Sequence, residues 1–232
     1  IEKMENVTKP LFITTNDWKN ILALSPLKVP VLIYENENDK ERIEDFTELY
    51  KPEKIFVLGD APFKGTKIDL ENLKELFFKN KKGIYADTLE KYILASQIAS
   101  LLEIPIVFSK DEAEIDFSQN STEEIENFYL NLAKQKSVDI NYLILTNSSA
   151  ISSLISSLKN GFTIISNSQN ATEVKNLLKE KVNKLNSYGF LFNKSKNIVR
   201  GNYLLLIGVP SFLVDDPVEK QKLLGIIESN DE

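Results

Sequence analysis

Short apolar runs alternate with amphipathic stretches along almost the whole chain, and no other feature narrows its folding options as much. The runs are Leu11–Thr15, Val29–Glu35, Lys54–Gly59, Gly83–Ala86, Ile104–Ser109, Tyr142–Thr146, Phe162–Ser166 and Tyr203–Ile207. Most are continuously apolar, the pattern of strands buried on both faces. Helical periodicities lie between and beyond them, near 17–27, 39–50, 69–80, 88–103, 122–136, 148–159, 170–186 and 217–228. Strand and helix in regular alternation predict right-handed crossovers and a mostly parallel sheet. The expected class is therefore α/β, with repeated strand–helix units building Rossmann-like three-layer sheets.

The alternation itself repeats. Residues 29–35 read VPVLIYE and residues 104–109 read IPIVFS, and each follows a helical run carrying ILA, at Ile21–Ala23 and Ile93–Ala95. Pro30 and Pro105 fall at the second residue of their strand signals, where a missing N–H is tolerated. Each also denies the α region to the residue before it, which stops the preceding helix. A first unit runs strand 11–15, helix, strand 29–35, helix 39–50, strand 54–59. A second runs strand 83–86, helix, strand 104–109, helix 122–136, strand 142–146, and a looser third pass leads on to 203–207. The organisation expected is an N-terminal extension over 1–10, a first pair of α/β units over 11–110, and a second α/β half over 111–232 packed on the first.

Two absences limit the chemistry. The chain has no cysteine and no histidine. Disulfides, thiolate nucleophiles and Cys-based metal sites are excluded, and so are the usual general base and the serine triad. Any catalysis would fall to Asp, Glu, Lys, Tyr or Ser. A net charge of −6, with Arg42 and Arg200 as the only arginines, argues against a nucleic-acid partner. No apolar stretch approaches the roughly 18 residues of a membrane span, and the polar opening IEKMENVTKP has no signal-peptide character. A first residue of Ile1 suggests a mature or excised segment of a longer precursor. Sequons at Asn6, Asn120, Asn147, Asn170 and Asn193 are a mild excess over chance and mark candidate glycosylation sites.

In parallel α/β sheets, ligands gather beyond the carboxyl ends of the strands. Those ends carry Asn16, Asp17 and Trp18, then Gly59 and Asp60, Asp87 and Thr88, and Asn147 and Ser148. They are the candidate ligand-binding residues, suited to a sugar or a phosphate. Helix capping explains Asn16, Asp17, Asp87, Asn147 and Ser148 more simply. Asp60 and Asp87 could act as a carboxylate pair for acid–base work or a hard metal, though nothing in the spacing sets their separation. The stretch DEAEID (111–116) lacks the glycine of a calcium loop and reads as a solvated acidic loop, and FKGTK (63–67) reads as a turn. Neither Gly59 nor Gly208 belongs to a G-x-G-x-x-G or P-loop pattern. No cofactor or metal is expected. Trp18 would stack on a sugar if exposed, and would otherwise lid the core.

The order LFITTNDWKNILALSPL–VPVLI…KIFVLGD, followed by ADTLEKYILASQIASLLEIPIVFS, resembles the cell-wall-binding repeat type 2 family. The match covers about residues 11–110, and 140–208 more weakly. Members carry a strand, a helix with small residues, a Pro-initiated strand and a later strand ending in glycine. Many occur in surface-anchored proteins of Gram-positive bacteria and archaea. Departures are Gly59–Asp60 where the family places Gly–Gly, a first helix poorer in alanine, and no Asp/Arg-containing opening. The resemblance implies a non-enzymatic, extracellular module that attaches or assembles an envelope protein, with an envelope polymer or another surface protein as partner. The alternatives are a Rossmann-like sugar- or nucleotide-handling protein with Asp60, Asp87 and Asn147 near its site, or a purely structural S-layer domain.

Overall fold

Leu11, Phe12, Ile13 and Thr14 are all but inaccessible to solvent, because they run through the middle of a parallel sheet. The computed structural model describes residues 8–137, 143–145, 164–166, 189–192, 199–200, 203 and 211–214. The chain divides into two compact units, Ile1–Tyr129 and Leu130–Glu232. In the first unit, β1 (Pro10–Thr15), β2 (Val31–Tyr34), β3 (Lys54–Leu58) and β4 (Thr66–Ile68) form a sheet of order β2-β1-β3-β4. Every pairing is parallel, with Phe12 facing Val31 on one side and Phe56 on the other.

Alternate residues of these strands serve two cores, as the period of two requires. Phe12, Phe56 and Leu58 pack with Ala23 and Leu24 of α1 (Trp18–Leu24) and Leu73 of α3 (Leu70–Phe78). Leu11, Ile13 and Val57 pack on the opposite face with Ile43 of α2 (Asn38–Tyr50). The three-layer α/β architecture is thus present, with a sheet covered by helices on both faces. Phe12 stacks on Phe56 at 5.0 Å, and Phe77 meets both rings edge-on at 5.3 and 5.4 Å. Such aromatic pairs add about 0.5–1.5 kcal/mol each beyond their buried area.

β4 corrects the turn expected at FKGTK. Only residues 59–65 join β3 to β4, fewer than a parallel crossover normally needs. The link suffices because β4 pairs with just Phe56–Leu58, so the chain climbs back only about 10 Å. It crosses the α2 face, where Ala61 is buried and Phe63 meets Tyr34 edge-on at 5.6 Å.

The rest of the first unit departs from the expected copy. β5 (Gly83–Tyr85) pairs in parallel with β6 (Ala113–Asp116), so the acidic loop expected at DEAEID is a 3-10 turn at Lys110–Glu112 followed by a strand. The strand expected over Ile104–Ser109 shrinks to one isolated bridge between Ile84 and Ile106. Between them, α4 (Leu89–Leu102) buries nine consecutive residues, Tyr92–Ser100. It is enclosed on all sides rather than amphipathic. Ser96 tolerates this by donating to the Ile93 carbonyl at 2.7 Å. α5 (Thr122–Gln135) lies where a helix was expected.

In the second unit, β7 (Leu143–Leu145), β8 (Ile164–Ser166), β9 (Gly189–Phe192) and β10 (Ser211–Val214) form a parallel sheet of order β8-β7-β10-β9. β7 and β8 fall inside two expected strands. Tyr203, where an expected strand would open, is helical, and the rest of that run, 204–207, lies outside the described residues. The helices expected over 148–159, 170–186 and 217–228 lie outside the described residues.

Candidate functional site

From β1 the chain turns to one side, to β2, and from β3 it turns to the other, to β4. The outgoing loops therefore part between β1 and β3, the place where open α/β sheets bind ligands. Gly59 stands at this point with φ +72°. A Cβ there would lie 2.6 Å from Thr15 Oγ1 and 3.4 Å from Asn20 Nδ2. Glycine is required both for the left-handed backbone and for the approach of the β1 and β3 ends.

Beside it opens a cleft of about 630 Å³, with Val57, Leu58 and Ile68 at its base and Asn20, Asp60, Lys67, Asp69 and Asn72 among its walls. Most of these polar groups are held locally. Asp69 caps α3, accepting from Asn72 N at 2.7 Å, while Asn72 Oδ1 accepts from Asp69 N at 3.4 Å. This reciprocal box satisfies two otherwise orphan N–H groups. Lys67 Nζ donates to the Ala61 carbonyl at 2.6 Å. Two groups differ: among the described residues, neither the Asn20 amide nor the Asp60 carboxylate holds a side-chain hydrogen bond or ion pair.

The other expected site residues are placed as follows. Asn16 Nδ2 donates to Glu35 Oε1 at 3.2 Å, so it is not a cap. Asp17 caps α1, accepting from Lys19 N at 2.8 Å and Asn20 N at 3.4 Å. Trp18 is 37% exposed and rests on Tyr92 and Phe108, each 5.8 Å away. The Lys19 ammonium lies 5.7 Å from the Trp18 ring. At the end of β5 the cap is Thr88, which accepts from Lys91 N at 3.4 Å, and not Asp87. Asp87 instead pairs with Lys91 Nζ at 2.9 Å, and this hydrogen-bonded ammonium holds its carboxyl below the usual range. Asp87 does not line the cleft that Asp60 lines.

Of the residues expected to act together, the structure thus brings Gly59 and Asp60 into one cleft and leaves Asp87 and Thr88 outside it. Asn20, Lys67, Asp69 and Asn72 were missed. Asp69-x-x-Asn72 was a legible helix-start signal, whereas nothing local marked Asn20. Asn120 is half-buried, and its N–H donates to the Phe117 carbonyl at 3.1 Å. Asn6, Asn147, Ser148, Asn170 and Asn193 lie outside the described residues.

Among the described residues, no three carboxylates gather as a metal would require. The carboxyl that burial pushes up is Glu126 on α5, away from the cleft. A second recess of about 440 Å³, more apolar, lies between α3 and residues 105–109, beside the 2.9 Å pair of Lys74 and Glu112. No protein-family model, curated protein or solved structure matches the chain.

Proposed function

We propose that the chain is a non-catalytic surface module that attaches or assembles an envelope protein by holding a cell-envelope polymer in the cleft between β1 and β3. The observation that carries this reading is the pair of uncommitted groups, Asn20 and Asp60, flanking Gly59 at the sheet's switch point. A carboxylate accepts hydrogen bonds and an amide both donates and accepts, so together they suit a hydroxyl-rich ligand.

The catalytic alternative has less to support it. Acid–base work needs two groups within reach of one reacting atom. Asp87 is tied to Lys91 away from the cleft, and Asp69 is tied to its own helix. The family resemblance over residues 11–110 points the same way, to envelope attachment outside the cell. Among the described residues, no helix is long and apolar enough to cross a membrane.

Co-sedimentation of the purified 232-residue chain with isolated envelope material tests this, across a salt series and beside an unrelated acidic protein. Saturable pelleting above that control is expected. A chain that stays in the supernatant with the control at every salt concentration rejects attachment.

A further inference from the structure

β2 is an edge of the first sheet, and the β1 ladder fixes which of its backbone groups face outward. Phe12 is level with Val31, and its N–H donates to Pro30 O at 3.0 Å. The N–H and C=O of one strand residue point to the same side. Pro30, Leu32 and Tyr34 therefore turn to β1, while Val31, Ile33 and Glu35 turn away. The N–H that Pro30 lacks is missing from the inner side and leaves the outer side intact. Glu35 N closes the far end by donating to Asp39 Oδ2 at 2.9 Å. Among the described residues, the outward N–H and C=O of Val31 and of Ile33 have no partner.

No guard stands on this edge. Sheets discourage edge pairing with charged side chains, a proline on the open side or a bulge. The opposite edge follows that rule, since β4 exposes Thr66 and Lys67. β2 offers only Val31, Leu32, Ile33 and Tyr34, all half-buried beside the fully covered Leu11–Ile13 of β1. Charge sits at its two ends, with exposed Lys28 before the strand and exposed Glu35 and Glu37 after it. Lys28 forms no ion pair among the described residues. Glu37 accepts from the Tyr34 hydroxyl at 2.8 Å, a neutral donor that positions the carboxylate without cancelling its charge.

We infer that the outer edge of β2 pairs with the same edge of a second copy of this chain, antiparallel across a two-fold axis. With Leu32 set opposite Leu32 of the second copy, Val31 faces its Ile33 and Ile33 faces its Val31. Every outward N–H and C=O of both residues is then used in exchanged pairs. Facing residues share one face of the sheet, so valine meets isoleucine and leucine meets leucine across the axis. Lys28 falls opposite Asn36 of the second copy, between its Glu35 and Glu37, and the two-fold repeats this at the other end. The charges of one edge thus complement the same edge inverted, whereas a parallel neighbour would set like charges level. This inference is independent of the attachment reading.

The test is sedimentation equilibrium of the full chain at low salt, up to about 100 μM because a short strand pairing lies at the weak end of interface affinities. A dimer that dissociates on dilution and weakens with added salt is expected. Lys28→Glu and Glu37→Lys each bring like charges together at both ends, and each should weaken association about tenfold. Mixed in equal amounts, the two variants should recover it, because each then meets the opposite charge in the other. Glu103 already fills a left-handed helix exit like that of Lys28, so Lys28→Glu keeps the backbone. Melts of dilute protein, where the copies are apart, check that both variants fold as the parent does. In the parent itself, hydrogen exchange at the Val31 and Ile33 N–H groups should slow as concentration rises. A chain that stays monomeric throughout, species larger than a dimer, association unchanged in both variants, a mixture no stronger than its components, or exchange independent of concentration overturns the inference.

Discussion

Leu27-Lys28-Val29-Pro30-Val31, leaving a 3-10 turn at Ser25–Leu27 after α1, and Leu102-Glu103-Ile104-Pro105-Ile106, leaving α4 itself, take similar routes out. Each has a left-handed residue, Lys28 at φ 54° and Glu103 at φ 55°, then one residue more, then a proline whose carbonyl opens a parallel ladder on the strand before the helix. After Val31 the ladder continues through four pairs, Phe12↔Val31 to Thr15↔Tyr34. After Ile106 it stops at one.

Two side-chain choices account for the difference. In a continued ladder the Val107 carbonyl would receive the Ala86 N–H, and at that point it accepts the Tyr92 hydroxyl. Phe108 then leaves the strand direction to pack 5.3 Å from Tyr92 and 5.8 Å from Trp18. Below the bridge, Gly83 stands where the first stretch has Leu11, and a Cβ there would press on the Pro105 carbonyl oxygen. Near-identical local signals thus lead to a four-rung pairing in one case and to a single-rung contact in the other. Tertiary partners override local pattern here.

The largest effect should come from the tight approach at Gly83. Gly83→Ala is expected to cost about 1–3 kcal/mol by overpacking, seen as a lower urea midpoint at unchanged slope. A neutral result would mean that β5 and Pro105 are not held as close as described. Removing the Tyr92 hydroxyl comes next: Tyr92→Phe is expected to cost about 1 kcal/mol at neutral pH through the lost bond to Val107.

The same residue makes a pH prediction. Burial pushes the Tyr92 hydroxyl up to about 12 from 10.0. The folded state therefore favours the protonated phenol, and its contribution is complete below pH 10 and lost as pH rises from 10 to about 12. The advantage of wild type over Tyr92→Phe should shrink and then reverse across that interval, whereas curves that stay parallel would reject the buried hydroxyl. Tyr129, also raised to about 12 by burial, is present in both proteins and cancels from the difference.

The smallest effect concerns the shared exits. Lys28→Gly and Glu103→Gly should each stabilise by about 0.5 kcal/mol, because glycine takes left-handed backbone without the Cβ penalty. Equal gains in thermal melts would support the common route, and a gain at one site alone would break the equivalence.

Much of the fold was legible along the chain. Continuously apolar runs marked β1, β2, β3 and β5, and Asp17 stood as a recognisable helix cap. β4 and β6 were missed because they expose Thr66 and Lys67, and Glu114 and Asp116. Such short, partly charged segments become strands only when a neighbour offers a ladder. In the cleft, Gly59 and Asp60 could be anticipated from the strand-end rule, whereas Asn20 looks like any polar helix residue until the fold sets it beside Gly59.

The sequence by itself determined the α/β class, the parallel strands and the prolines that stop the two helical runs, because these follow from periodicity, burial of apolar runs and backbone sterics acting over a few residues. Only the tertiary structure decided strand order, the single rung at Ile106 and the cleft beside Gly59. Those outcomes depend on which groups meet across the fold, as the Tyr92 hydroxyl meets the Val107 carbonyl.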